Sequence, residues 1–266
     1  MSQRQGGVSR APFNSLNLGD HVGDDPASVQ VNRQLWQRYT APYPVFLKQV
    51  HGVDVAHLQF PVAQAAEPTQ ADACWTDETG VVCTMMVADC LPILFAAADG
   101  SSVAAVHAGW RGLSGQLASI APMGTQTAPL GVLESLCAQW PAAVAPQARA
   151  SMVVWLGPCI GPQAFEVGPE VRQAFMAAAR SPQDEQSIAS CFVPHTTAAS
   201  QPVKYLANLS ALARWRLHRL GFELISGNDG SPEWCTVRNA DRFFSHRRDA
   251  ATLGSTGRMA AGIWRV

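Results

Sequence analysis

The sequence has no apolar run approaching the ~18 to 20 residues that span a bilayer, no C-x-x-C pair, no H-x-H pair and no excess of either charge. Each absence excludes something. With a net charge of −1 there is no basic field to hold nucleic acid or an acidic membrane surface. The first residues, MSQRQGGVSRAPFNSLNLGD, lack the apolar stretch of a signal peptide, so a soluble, cytoplasmic protein is expected. Seven cysteines stand singly, an odd number that argues against a disulfide framework and for buried thiols in a reducing compartment. No internal repeat, low-complexity tract or Pro/Gly/Ser-rich linker divides the chain, and one domain over residues 1–266 is expected.

Apolar residues are plentiful, at 47 % of the chain, and their densest stretch is VVCTMMVADCLPILFAAADGSSVAAVHAGWRG, residues 81–112. It reads as three short buried strands over Val81 to Val87, Leu91 to Ala98 and Val103 to Val106, bounded by Asp and Gly signals. Asp89 and Cys90 follow the first run, and His107 ends the third. Paired strands lie only about 5 Å apart, so a thiol and an imidazole at strand ends can converge. A third residue of ligand type, His51, lies upstream in LKQVHGVDV, at a turn expected between strands Val45 to Gln49 and Val53 to Phe60.

Elsewhere, residues 6–25 read as an ordered loop. Asp25 and Pro26 open a helix whose buried side holds Val29, Leu35, Trp36 and Tyr39. Asp72 and Thr76 read as groups that satisfy backbone in turns. Residues 114–130 carry enough Pro and Gly to break a helix and read as a surface excursion. A helix is expected over Val132 to Trp140, then an Ala/Pro-rich connection, a strand at Val153 to Leu156, and a tight loop with Phe165 and Glu166 at its lip. A further helix opens at Gly168-Pro169, residues 181–200 read as largely exposed, and Tyr205 to Leu220 reads as the best helix, ended by Gly221. Phe222 to Ile225 and Gly257 to Val266 read as strands flanking a polar segment, and the mixture indicates an α/β domain.

Two imidazoles and a thiolate, His51, Cys90 and His107, suit zinc and leave a fourth position open. Spacing alone does not single out that reading: Cys90 activated as a nucleophile by His107, or three unrelated residues, accounts for the same positions. A multicopper cluster needs many imidazoles, and this chain has seven. A single copper suits the same donors.

The segments NSLNLGDHVGDDP, KQVHG, ADACWT, VADCLPILF, VHAGWRGL, GPCIGPQAFEVG, FFSHRRD and GRMAAGIW, in this order, resemble the YfiH-type laccase-domain family, described as purine nucleoside phosphorylases. The resemblance runs from about Asn14 to Trp264. It implies a four-layer α/β/β/α sandwich with mixed sheets, a zinc site at His51, Cys90 and His107, and phosphorolysis of adenosine, inosine and methylthioadenosine with adenosine deamination besides. Purine nucleosides and phosphate are then the expected partners. Anion-binding candidates are Lys48, Arg111, Arg247 and Arg248, and Asp89 or Glu166 would carry a proton. The chain departs from the family at His246, where Tyr is usual, at Val87, where Thr is frequent, and in the excursion from Ser114 to Leu130. The family also implies a peptidoglycan-precursor editing hydrolase and, in an older reading, a copper-dependent phenol oxidase. A metal-stabilised binding module is the non-enzymatic alternative.

Overall fold

The computed structural model describes residues 1–60, 68–115, 130–195 and 203–266. In chain order its first half holds α1 (Pro26–Gln37), β1 (Tyr43–Phe46), β2 (Val55–His57), β3 (Ala73–Thr76), β4 (Val81–Val87), β5 (Leu91–Ala96), β6 (Val103–Ala108), α2 (Trp110–Ser114) and α3 (Val132–Gln139). There follow α4 (Pro141–Val144), α5 (Pro146–Arg149), β7 (Val153–Leu156), β8 (Glu166–Val167), α6 (Pro169–Met176), α7 (Pro182–Ser190) and β9 (Phe192–His195). The chain closes with β10 (Lys204–Ala207), α8 (Leu209–Arg219), β11 (Leu224–Gly227), α9 (His246–Leu253) and β12 (Met259–Ile263).

Two mixed sheets carry the architecture. A six-stranded sheet runs β11-β7-β5-β6-β3-β2, and a three-stranded sheet runs β1-β4-β12. A small antiparallel sheet, β8-β10-β9, lies apart from both. Strand alternation decides what each face meets. Cys74 of β3 and Val103 and Ala105 of β6 point between the two main sheets, where they pack on Cys83 and Met85 of β4. Their neighbours Ile93, Phe95, Ala104 and Val106 point the other way, onto Leu136, Trp140 and the helix α8. On the far side of the smaller sheet, Ala260 of β12 packs against Leu18 and Trp36 of α1. The order helix, sheet, sheet, helix is the layered α/β sandwich that the family resemblance implies.

The outer helical layer is anchored by aromatic packing. Phe95 and Trp140 meet edge to face at 6.2 Å between centroids, and the Trp140 Nε1–H donates to Ser102 Oγ at 2.9 Å. Truncating such a buried ring costs about 3 to 5 kcal/mol.

Several expected elements hold. Asp25 caps α1 by accepting from the Ala27 and Ser28 N–H groups, with Pro26 at the first helical position. Strands β4, β5 and β7 fall where their apolar runs do, except that β5 stops at Ala96. Strand β6 continues through His107 to Ala108, so the imidazole projects from within the strand. Other expectations are corrected. Tyr39 lies beyond α1 and is exposed, whereas Asn32 is buried on that face, bonded to Ser9, Ser15 and Asn17. The strands flanking His51 do not form a hairpin: β1 pairs with β4 in the smaller sheet and β2 with β3 in the larger.

The stretch from Tyr205 to Leu220 is not one helix. Lys204–Ala207 pairs with β9, and Asn208 caps the helix by accepting from the Ala211 N–H, so tertiary pairing overrides helical propensity for the first residues. Residues expected to be exposed after Ser181 form α7 and β9, with Asp184 and Ile188 buried. The Ala/Pro-rich connection folds into two single turns, α4 and α5. Most of the excursion after Ser114, and the loop that opens at Pro61, lie outside the described residues.

Candidate metal centre and cavity

Local chain geometry brings the three ligand-type side chains together. Leu91 pairs with Ala108 and Pro92 with His107, so Cys90, just ahead of β5, lies beside the end of β6. His51 occupies the crossover from β1 to β2 with φ 60, and Asp89 precedes Cys90 with φ 92. Left-handed backbone is uncommon for residues other than glycine and persists only where surrounding bonds hold it. For His51 that hold is Asp72, whose carboxylate accepts from the Val50, His51 and Gly52 N–H groups at 3.0, 2.9 and 2.7 Å. For Asp89 it is a set of donors: Thr236 Oγ1 at 2.5 Å, Ser245 Oγ at 3.1 Å and the Arg247 N–H at 2.6 Å.

Asp72 does a second job. His107 Nδ1 donates to its Oδ1 at 2.7 Å, which fixes the imidazole tautomer and leaves Nε2 for the centre. One ligand atom from each of His51, Cys90 and His107 lies within 4.8 Å of the others, with Cys90 Sγ and His51 Nε2 3.6 Å apart. Tetrahedral zinc with ordinary bond lengths sets its donors about 3.5 Å apart, so the set fits a single small cation after slight contraction. Three protein donors leave one coordination position, as catalytic sites do.

Gly109 makes this closeness sterically feasible. A Cβ there would stand 2.8 Å from His51 Cδ2 and 3.2 Å from Cys90 Sγ. Gly112 does the same a little further along the chain, where a Cβ would stand 2.6 Å from the Gly52 carbonyl oxygen. The glycines of the HAGWRG segment are therefore spacers for the turn that bears His51.

The electrostatics prepare the donors. Burial would push the Cys90 thiol up, but the charge and hydrogen bond of His107, with a smaller contribution from His51, outweigh it and hold the thiol at about 6. Burial would lower His107, yet Cys90 and Asp72 outweigh that and raise it to about 9. For Asp72 burial pushes up, while His107 and the Gly52 and Val50 amides pull harder and lower it. Without metal, Cys90 and His107 thus form a thiolate–imidazolium pair at neutral pH.

The centre opens into a cavity of about 460 Å³. His51, Cys90 and His107 are in its lining; Met86, Ile160, Phe165 and Trp110 supply apolar surface. Both family departures, Val87 and His246, face it. Arg111 and Arg247 line it as expected, Arg111 with its guanidinium 4.6 Å from the Trp110 ring centroid.

Two expected anion binders do not reach the wall. Lys48 is exposed and its neighbour Gln49 lines the cavity instead, locked to Met86 by two hydrogen bonds. Arg248 turns inward: its guanidinium pairs with Asp249 and donates to the Thr236, Val237 and Phe243 carbonyls. Asp89 lines the cavity, but its carboxylate serves the three donors named above. Glu166 bonds Lys204 at 2.6 Å and lies near His195, away from the lining.

Sequence reasoning missed the positioning role of Asp72, the spacer Gly109, and two cavity residues, His21 and Arg258. Each belongs to a segment that carries the family resemblance, which marks the segment without saying which side chain turns inward. Arg258 is pushed down by burial, an effect opposed by the charges of Cys90 and Asp89.

A family model described as multi-copper polyphenol oxidoreductase laccase matches residues 1–266. The purine nucleoside phosphorylase YfiH of Escherichia coli (strain K12) is 42 % identical over 267 residues, covering 100 % of this chain and 92 % of that protein. A purine nucleoside phosphorylase of Pseudomonas aeruginosa is 41 % identical over 264 residues, covering 99 % of this chain and 91 % of its own length. Among solved structures, a Neisseria meningitidis protein superposes with a TM-score of 0.75 at 37 % identity, covering 99 % of this chain and 91 % of that one.

Proposed function

The chain belongs to the multi-copper polyphenol oxidoreductase laccase family, and on that premise we propose that it is a metal-dependent purine nucleoside phosphorylase. Adenosine, inosine and methylthioadenosine are its substrates in this reading, and adenosine deamination is an accompanying activity. The observation that carries it is the pairing of one imidazole–thiolate–imidazole group with a cavity of about 460 Å³ whose lining includes both apolar side chains and the cations Arg111, Arg247 and Arg258. That volume suits a nucleoside with phosphate beside it.

In phosphorolysis the C1′–N9 bond breaks, its electron pair leaves with the base, and a phosphate oxygen bonds to C1′. Phe165, Ile160 and Met86 offer the flat apolar surface that a purine needs. Arg111 and Arg247 hold anionic oxygen at the other side. His246, at the first residue of α9, faces the same space and can deliver a proton to the departing base. Cys90 and His107 serve as metal ligands together with His51. Asp89, first expected to carry a proton, instead holds the Thr236 to Arg247 segment against the metal-bearing turn, because its oxygens are committed to that segment.

Zinc held by His51, Cys90 and His107 would supply Lewis-acid polarisation, and the same donors would accept a single copper. Among the described residues one group of three metal donors is present. That supports a mononuclear centre rather than the copper cluster in the family's description. Seven free thiols support a cytoplasmic setting, and no helix among the described residues is long and apolar enough to cross a membrane. Because cavity residues run from His21 to Arg258, we read 1–266 as one domain.

Metal-replete protein incubated with inosine should release hypoxanthine and ribose 1-phosphate only when phosphate is present. Metal content measured on the same sample identifies the ion, and ammonia release from adenosine reports deamination. Absence of phosphate-dependent base release across a panel of purine nucleosides would overturn the reading.

A further inference from the structure

Arg258 is absent from the anion binders that the sequence singles out, yet it lines the same cavity as His51, Cys90 and His107. Its backbone is tied on both sides to the loop before α1: the Arg258 N–H donates to Asn17 Oδ1 at 2.8 Å, and its carbonyl accepts from the Leu18 N–H at 3.0 Å. The loop also makes room for the side chain. A Cβ at Gly19 would come within 2.7 Å of Arg258 Cγ, so only the bare glycine leaves the stem its path. Asn17 fixes Gly19 in turn, accepting its N–H at 2.9 Å and donating to its carbonyl at 3.0 Å.

The guanidinium is only partly used. Nη1 donates to the Thr256 and Gly257 carbonyls at 3.0 and 3.2 Å, whereas Nε and Nη2 have no partner among the described residues, and no carboxylate pairs with the side chain there. The Asp89 carboxylate is spent on its three donors. A half-buried guanidinium with two free nitrogens is stabilised by an anion supplied from outside, and its fork matches the paired oxygens of a phosphate. Arg247 lines the same cavity with one nitrogen, Nη1, engaged on the Ala164 and Glu166 carbonyls.

We propose that Arg258, aimed by the Asn17–Gly19 turn and assisted by Arg247, is the anchor for inorganic phosphate in this cavity. The inference deepens the phosphorylase reading and rests on it for the role of the bound anion, though not for the existence of the site. It also gives a purpose to the NSLNLGD segment, whose Asn17 and Gly19 set the backbone and the stem of this cation.

The test is a phosphate titration at saturating inosine on metal-replete wild type, Arg258→Gln and Arg258→Lys, with near-ultraviolet circular dichroism to establish folding. Loss of the fork should raise the phosphate KM roughly ten- to hundredfold in Gln and less in Lys, while the inosine KM moves by no more than about twofold. A phosphate KM unchanged in both folded variants, or an equal rise in both KM values, overturns the proposal. A second readout needs no turnover: inorganic phosphate should raise the melting temperature of wild type and lose that effect in folded Arg258→Gln, with Arg258→Lys in between. If no nucleoside is cleaved but this shift is seen, the anion site stands and the phosphorylase reading falls. If phosphate does not shift wild type at all, the anion site falls.

Discussion

His107 Nδ1 stands 2.7 Å from Asp72 Oδ1, and that same oxygen accepts the His51 N–H at 2.9 Å. One carboxylate therefore orients two of the three candidate metal donors, one through its ring and the other through its backbone. Asp72→Asn offers a single acceptor oxygen and turns an amide N–H₂ toward existing donors. We expect metal affinity to drop about 10- to 100-fold and stability to fall by about 2 to 4 kcal/mol. Chelator competition and urea denaturation measure the two; unaltered affinity would show that the imidazole needs no support.

The thiol at about 6 makes a prediction for metal-free protein. Iodoacetamide should modify Cys90 with a rate that climbs through about pH 6 and then levels, because the thiolate is the nucleophile. The other six cysteines are buried and should react slowly. Added zinc should suppress the modification, and peptide mass spectrometry reads both effects. Cys90→Ala should abolish metal retention and activity together; full phosphorolysis in that variant contradicts the assignment of the centre.

Gly109→Ala inserts one methyl between His51 and Cys90. The expected outcome is a folded protein whose metal content is reduced at least about tenfold, since a contact of 2.8 Å forces the imidazole aside. Full metal occupancy in this variant would mean that the turn at His51 yields cheaply.

Arg248→Gln separates two adjacent arginines that sequence treats alike. It breaks the pair with Asp249 and leaves the Thr236, Val237 and Phe243 carbonyls without their donor. A loss of about 2 to 4 kcal/mol in stability is expected, with phosphate dependence unaltered in the folded fraction. A selective rise in phosphate KM would return this residue to the cavity wall.

The strands that flank Cys90 and the one that carries His107 are legible because burial on both faces produces continuous apolar runs between turn residues. Asp25 announced α1 for an equally local reason. What escaped was decided at a distance. Tyr205 and Leu206 have good helical neighbours, but β9 competes for them and Asn208 starts the helix late. Helix α7 carried local signals, Ser181 as cap and Pro182 in the first turn, that its low apolar content masked. Asp72 reads in the sequence only as a turn residue, since nothing along the chain connects it with His107. Arg248 turns inward and Arg258 lines the cavity for a geometrical reason: the phase of α9 about its axis directs the former, and Gly19, far upstream, admits the latter.

His51 and Cys90 each lie on a connection by which the chain leaves the three-stranded sheet for the six-stranded one, and His107 belongs to the larger sheet. An ion gripped by all three works as a rivet through the laminate. Loading it should resist peeling of the layers, and amide exchange along Val81–Val87 should slow even at residues far from any donor atom.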